Sequence, residues 1–366
     1  MKPHRIGVLT GGGDCPGLNA VIRAVVRTAH SQYAMEVVGI LDGFVGLVEN
    51  QTRTLSHDDV SGLLSRGGTI LGTSNRADPF MYVREGDHEA APADRSRDAL
   101  LTIEQHGLDA LVVIGGDGSQ AIACRFLDLG VPIVGVPKTI DNDLAATDVT
   151  FGFDSAVAVA TDAVDRLHST AESHHRVMVL EVMGRYAGWI ALHAGVAGGG
   201  DVIVIPEIPY SVESICRGIE RRHHRGKRFS IVVVAEGARD TAGQLISHRT
   251  VTDANDPIRL GGIGRWIADQ IEDTTGLESR VTVLGHLQRG GSPTAYDRWL
   301  ATGFGVAAVD TLAKGLPDRM VAVRGQDIVD VPLRDAVGAL RQVDPAGAQV
   351  RAARALGTVF GDEVGE

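Results

Sequence analysis

Between Lys138 and Asp143 the chain sets one ammonium, one hydroxyl and two carboxylates into six consecutive residues, Lys138-Thr139-Ile140-Asp141-Asn142-Asp143. They follow an apolar run, Val131 to Val136, that reads as a short buried strand despite Pro132. Carboxylates two apart in a loop can serve one site, where one takes a hydroxyl proton and the other orients a ligand. The same pair could equally close an Asx turn, and Lys138 could be a phosphate contact or a surface lysine. Upstream, Gly115-Gly116-Asp117-Gly118-Ser119 ends another apolar run. A carboxylate near phosphates repels them unless a cation intervenes, and Mg2+ commonly takes one or two carboxylates plus water and phosphate oxygens. Asp117 as a helix N-cap is compatible with that role. Gly118, without a side chain, leaves room for something bulky beyond a transferred phosphate. A third loop, Gly11 to Gly17, joins a strand to a helix, where free amides and the helix dipole favour anions. It is neither a Walker A loop nor a dinucleotide fingerprint, because the lysine and the third glycine are not at the required spacing.

The second half carries the cations. Arg176 starts a strand, Met183-Gly184-Arg185 ends it, Glu236 ends another, and Arg280 with His286-Leu287-Gln288-Arg289 surrounds a third. Arginine forks suit phosphate, while carboxylate and imidazole can hold hydroxyls, so this set points to a pocket for a phosphorylated polyol.

The elements that must position these loops alternate. Ile6 to Leu9 reads as a strand, Leu18 to His30 as a helix, and Glu36 to Leu41, Leu111 to Ile114 and Val131 to Val136 as further strands, with helices near Ser96 to His106 and Ala121 to Leu129. After Asp154 the rhythm restarts, with helices over Ser155 to Thr170 and Trp189 to Val196 and strands at Arg176 to Val182, Val202 to Ile205, Ile231 to Ala235 and Val281 to Leu284. The polar stretch Arg239 to Pro257 reads as an exposed insertion or hairpin, Asp297 to Lys314 as a helix, and the tail after Val343 as helical to Gly357. Such alternation predicts an α/β protein with two Rossmann-like parallel-sheet domains. No low-complexity linker separates them, so the site is expected in a cleft between the two.

Composition narrows the function. The chain has 366 residues, 44% apolar, only 4% aromatic, with a formal net charge of −11. Acidic balance and few aromatics argue against nucleic acid and against a membrane surface. No window approaches a membrane-spanning apolar length. The three cysteines, Cys15, Cys124 and Cys216, lack metal-ligand spacing and read as reduced thiols of a cytoplasmic protein. The start of the chain leads straight into a strand and not into a signal peptide.

From Ile6 to about Ala308 the chain resembles the 6-phosphofructokinase family, through Gly11 to Asn19, Gly115 to Ser119, Pro137 to Asp143, Met183 to Arg185, His286 to Pro293 and Tyr296-Asp297-Arg298. The resemblance implies ATP and fructose 6-phosphate as substrates, Mg2+ as cofactor and a homo-oligomer, usually a homotetramer. It implies Asp141 as the base, with Asp143 and Arg185 also catalytic, and Asp117 as the metal ligand. Gly13, Arg76, Ala77, Gly116, Asp117, Gly118 and Ser119 would contact the donor. Thr139, Ile140, Asp141, Met183, Gly184, Arg185, Glu236, His286, Leu287, Gln288 and Arg289 would hold the sugar phosphate, and Arg176 and Arg280 would reach a neighbouring subunit's site. Residues 1–152 with about 290–342 would form the donor domain, and about 153–289 with 343–366 the sugar-phosphate domain.

Donor choice is carried by two positions. Pyrophosphate users of the family typically carry Asp at Gly118 and Lys at Lys138, and typical bacterial ATP enzymes carry Gly at both, so this chain has a mixed signature. A carboxylate at Gly118 would crowd and repel the α-phosphate of ATP, so its absence favours ATP over pyrophosphate. A lipid or NAD kinase, which shares the Gly-Gly-Asp-Gly loop, and a catalytically silent sensing subunit are the remoter readings. Arg23 and Arg27 match positions that face an effector site in some bacterial relatives, and the basic run Arg221 to Arg228 could join them or be a solvated helix end.

Overall fold

The computed structural model describes residues 3–84, 91–250 and 258–363. In chain order its elements are β1 (Arg5–Thr10), α1 (Leu18–Tyr33), β2 (Glu36–Ile40), α2 (Phe44–Val48), β3 (Thr52–Leu55), α3 (Ser96–Gln105), β4 (Ala110–Gly115), α4 (Asp117–Asp128), β5 (Ile133–Pro137) and α5 (Phe153–His174). There follow β6 (Val177–Val182), α6 (Trp189–Ala197), β7 (Val202–Val204), α7 (Val212–His224), β8 (Ser230–Ala235), β9 (Ser247–Thr250), β10 (Ile258–Leu260), α8 (Ile263–Thr275) and β11 (Ser279–Val283). The last are α9 (Ala295–Ala313), β12 (Arg319–Arg324), β13 (Asp327–Pro332) and α10 (Ala348–Ala355). The chain divides into two compact units, one of residues 1–140, 144–155 and 289–339, the other of residues 141–143, 156–288 and 340–366.

Among the described residues, the first unit holds a seven-stranded sheet in the order β13-β12-β5-β4-β1-β2-β3. Its inner neighbours run parallel, and only the rims, β2 with β3 and β12 with β13, are antiparallel. The central strands β4 and β5 are apolar throughout because both faces are covered, and every residue of the two is buried. The rim strands β3 and β13 are partly exposed and carry charges, as edges that must not pair further tend to do. On α1, Val21, Ile22, Val25 and Val26 recur at helical spacing and are fully buried.

Strand order in this sheet reverses at β1, which lies between β4 and β2, and ligands of open α/β sheets sit at such reversals, beyond the carboxyl ends of the strands. Asp297, at the start of α9, is fully buried and fastens the segment leading into α5. Its carboxylate accepts from Gly152 N (3.0 Å), Ser155 N (2.8 Å) and Ser155 Oγ (2.6 Å). Burial pushes this carboxyl up to about 6, although the Ser155 and Gly152 donors pull it the other way.

The second unit is built on a parallel sheet in the order β11-β6-β8-β7. β6 and β8 are buried along their whole length. Glu181 lies within β6 at 2% exposure, and its carboxylate accepts from the amides of Gly262 (3.2 Å) and Gly264 (2.8 Å) at the start of α8. A buried carboxylate is stabilised there by donors the helix cannot satisfy internally.

The expected α/β class with two parallel-sheet units is borne out, and several boundaries move. α4 starts at Asp117 and not at Ala121, α5 runs on to His174, and α8 and the β12–β13 hairpin were not anticipated. Of the polar insertion, β9 and β10 pair antiparallel, while residues 251–257 lie outside the described residues. Beyond Val343 the described residues of the tail hold one short helix, α10. Cys15, Cys124 and Cys216 are all unpaired by disulfide and buried. Burial pushes the Cys15 thiol up to about 12, so it stays protonated and fills space. Among the described residues no helix is long and apolar enough to cross a membrane.

Candidate active site

In the first unit the ends of β1, β4 and β5 are level, because Thr10 pairs with Ile114 and Gly115 with Pro137. Three chemistry-bearing loops therefore leave one sheet edge together. Gly11 N donates to Ile114 O (2.9 Å) and Lys138 N to Gly115 O (3.0 Å), stitching the three loop bases. The buried Gln120 side chain reinforces this, its Nε2 reaching the carbonyls of Gly115 (3.0 Å) and Val136 (3.2 Å). Ser119 packs its side chain over Gly11 and Gly115, where a methyl group on either glycine would collide with it. The segment after Leu71 runs beside the glycine loop: Gly12 N donates to Ser74 O (3.0 Å) and Thr73 Oγ1 to Gly12 O (2.6 Å). This brings Arg76 and Ala77 alongside, Arg76 exposed and Ala77 turned into the apolar core, so that only the backbone of Ala77 is available to a ligand.

Asp117 occupies the first helical position of α4, with Gly116 as N-cap, so the carboxylate is not itself the cap. Its Oδ1 is buried and has no hydrogen-bond partner among the described residues. A buried carboxylate oxygen without a donor is costly unless a cation completes it. Among the described residues no group of three or more His, Cys, Asp or Glu side chains could hold a metal alone. The donor set therefore fits a hard cation that completes its shell with ligand oxygens and water, as Mg2+ does. Gly118 follows, exposed, and among the described residues no atom beyond its chain neighbours and its own helix backbone lies within 4 Å of where a Cβ would stand. Its backbone does not demand glycine, so the space above it is open to a ligand.

Lys138 is only 4% exposed, which excludes the surface-lysine reading. Its ammonium donates to the carbonyl of Gly13, and Arg289 Nη1 donates to that of Asp14 (3.1 Å). Two cations thus brace the glycine loop, and a side chain on Gly13 would collide with the Arg289 guanidinium. Thr139 is held through its carbonyl, which accepts from Thr150 Oγ1 (2.7 Å), and Ile140 is buried at 2% exposure.

The second unit receives the chain at Asp141, Asn142 and Asp143. One carboxylate oxygen of Asp141 is buried. Asn142 takes a left-handed φ of 53°, a conformation Asn tolerates better than most residues. The carboxyl ends of β6, β8 and β11 are again level, with Val182 opposite Ala235 and Val283 opposite Glu181. Met183, Gly184, Arg185, Glu236 and His286 to Gln288 leave this edge together. Glu236 N donates to Val182 O (2.9 Å) and Leu284 N to Glu181 O (3.0 Å). Arg185 is half-buried, its guanidinium 5.2 Å from the centre of the Tyr186 ring. His286 and Leu287 are exposed. Gln288 is fully buried, and its Oε1 accepts from Met183 N (2.8 Å), so its side chain holds the Met183 loop. Gly237 lies so close that any Cβ would overlap the carbonyl oxygen of Arg185. Gly237→Ala is expected to displace Arg185 and to cost about 1–3 kcal/mol of stability, read by denaturant unfolding.

The expectation that four arginines share one pocket is corrected within the chain. Arg176 precedes β6 and Arg280 is the second residue of β11, so both lie toward the amino end of the sheet with Glu278. Arg176 Nε is 2.7 Å from Glu278 Oε2, and Arg280 contacts the other oxygen. A six-residue strand, roughly 20 Å long, separates Arg176 from Met183 and Arg185.

A sequence profile of the family described as Phosphofructokinase matches residues 5–312. An ATP-dependent 6-phosphofructokinase of Chloroflexus aggregans is 57% identical over 364 residues, covering 99% of this chain and 99% of the relative. A pyrophosphate–fructose 6-phosphate 1-phosphotransferase of Amycolatopsis methanolica is 54% identical over 341 residues, covering 93% of this chain and 96% of the relative. A crystal structure of Pichia pastoris phosphofructokinase in the T-state superposes with a TM-score of 0.80 at 35% identity, covering 92% of this chain and 35% of that longer one. Relatives above half identity thus carry names with either phosphoryl donor.

Proposed function

The chain belongs to the phosphofructokinase family, and from that premise we propose that it transfers the γ-phosphoryl group of ATP to the 1-hydroxyl of fructose 6-phosphate, giving fructose 1,6-bisphosphate and ADP. The observation that carries this reading is the edge of the first sheet, where a glycine loop, an orphaned Asp117 oxygen and the open space above Gly118 stand together. A triphosphate needs amide donors, a cation and room for the nucleotide beyond the transferred group.

Asp141 accepts the proton of the 1-hydroxyl as its oxygen bonds to the γ-phosphorus, while the bond from that phosphorus to the β-bridging oxygen breaks and ADP leaves. Asp143 and Thr139 orient the acceptor. Arg185 faces the charge that develops on the transferred group, where a fixed cation stabilises the transition state more than the ground state. Gly13, Gly116 and Ser119 present amides to the donor phosphates, and Arg76 with the Ala77 backbone flanks the nucleotide. Mg2+ bound by Asp117 would neutralise the donor's phosphate charge. Met183, Gly184, Glu236, His286 and Leu287 hold the sugar phosphate, with Gln288 positioning Met183. Arg289, which lies against Asp14, is assigned to the acceptor's phosphate end while bracing the glycine loop. Arg176 and Arg280 serve a neighbouring copy's site in a homo-oligomer, consistent with their distance from Arg185 along their own sheet. ATP and a sugar phosphate are cytoplasmic metabolites, which supports a cytoplasmic location for the enzyme.

The reading with pyrophosphate as donor draws on the Amycolatopsis relative and on Lys138 beneath the glycine loop. The Lys138 contact with the Gly13 carbonyl does not by itself favour either donor, whereas a side chain at Gly118 would stand against a nucleotide. An aldolase-coupled assay with ATP or pyrophosphate tests the choice, and strong turnover with pyrophosphate alone would sink ATP. Asp117→Asn is expected to raise the Mg2+ needed for half-maximal rate by at least the roughly 10-fold that loss of even an outer-shell partner costs, read by Mg2+ titration at saturating ATP.

A further inference from the structure

The segment Leu340 to Val343 lies beyond residues 5–312, yet it is laid against the loops that carry Asp141 and Arg185. Its contacts fall on both loops. Arg341 N donates to Asp143 O (2.8 Å) and Arg341 Nη1 to Asn142 O (3.1 Å). The guanidinium lies 4.2 Å from the centre of the Trp189 ring, and Trp189 Nε1 returns a hydrogen bond to Arg341 O (3.0 Å). One residue on, Gln342 Nε2 donates to Tyr186 O (2.9 Å). Val343 N donates to Glu207 Oε1 (2.8 Å), an oxygen that also accepts from Gly188 N (3.0 Å). Residues 340–343 therefore tie the Asp141–Asp143 loop to the Arg185–Trp189 loop through backbone carbonyls and an aromatic stack.

We propose that Arg341 is a positioning residue for the proposed base, its side chain fixing the Asn142 carbonyl and with it the direction in which Asp141 presents its carboxylate. Asn142 is the left-handed residue of this loop, so its carbonyl direction sets the turn between the two aspartates. A guanidinium is planar, stacks on an indole face and still has N–H groups left to point at a carbonyl, a combination lysine does not offer. Trp189 is 5% exposed and opens α6, so the stack rests on a fixed element. The inference rests on Asp141 being the base, and it adds a residue that touches no substrate.

The test compares Arg341→Ala and Arg341→Lys in the full-length protein by two readouts, steady-state kinetics and amide hydrogen exchange of peptides covering residues 139–145. The Ala variant is expected to lower kcat roughly 10- to 100-fold, the cost of a small misplacement of a reacting group. KM for ATP should stay unchanged, and the 139–145 peptides should exchange faster. Lys should recover kcat only in part. A variant that melts earlier but keeps wild-type kcat and wild-type exchange in that loop would overturn the proposal. So would faster exchange with unchanged kcat. If Arg341→Ala does not fold, Trp189→Phe, which removes the indole donor and keeps an aromatic face, is expected to show the same pattern in smaller measure. A wild-type protein without phosphoryl transfer would sink the functional reading, while exchange in the same variants would still decide whether Arg341 holds the loop.

Discussion

Asp141→Asn is expected to lower kcat by roughly two or more orders of magnitude, with only a modest change in either KM. The substitution keeps the shape of the side chain and its capacity to hydrogen-bond, and removes only the ability to take a proton. The loop itself should stand, because Thr139, Asn142 and Asp143 are held through their backbone carbonyls by Thr150 and Arg341. A loss confined to kcat would therefore report the transition state and not substrate binding. Initial rates at saturating ATP and fructose 6-phosphate, with thermal unfolding as the control for folding, check this. An unchanged kcat would remove Asp141 from the base role.

Gly118→Asp is expected to lower kcat/KM for ATP by roughly 100-fold or more, since a like charge set against a phosphate costs several kcal/mol and each 1.4 kcal/mol is tenfold. The new side chain meets no opposition among the described residues, because the position is exposed and no atom beyond its chain neighbours and own helix backbone stands within 4 Å of its Cβ. The variant should unfold at the same denaturant concentration as the parent, so a loss of ATP use would reflect the ligand alone. KM for fructose 6-phosphate should hold. Undiminished ATP turnover would show that the nucleotide does not pass over Gly118, and the donor argument would fail with it.

Much of this was legible in the sequence because the loops that carry chemistry are short and sit directly at the ends of apolar runs. Gly11 to Gly17, Gly115 to Ser119 and Lys138 to Asp143 could be placed at strand ends from the runs before them. That the three leave one edge together was not readable, because it follows from the pairing of Thr10 with Ile114 and Gly115 with Pro137. The start of α4 was hidden by Asp117, Gly118 and Ser119, weak helix formers that read as loop. Lys138 looked ambiguous because spacing says nothing of burial, and only the fold sets its ammonium under Gly13. Arg176 and Arg280 were grouped with Arg185 by residue type, although a whole strand length divides them. Gln288 read as a substrate contact by its place in a motif, which gave no sign that its oxygen also holds Met183 N. Arg341 carried no motif at all, and its partners lie about 150 and 200 residues away in sequence, a separation no local pattern reveals.

The most direct test of the central claim is to follow the phosphoryl group itself. With γ-labelled ATP, Mg2+ and fructose 6-phosphate, the label is predicted to appear on the sugar's 1-oxygen with one ADP formed per bisphosphate, and pyrophosphate in place of ATP should give little product. Orthophosphate release from pyrophosphate coupled to bisphosphate formation, with no ADP made from ATP, would contradict it.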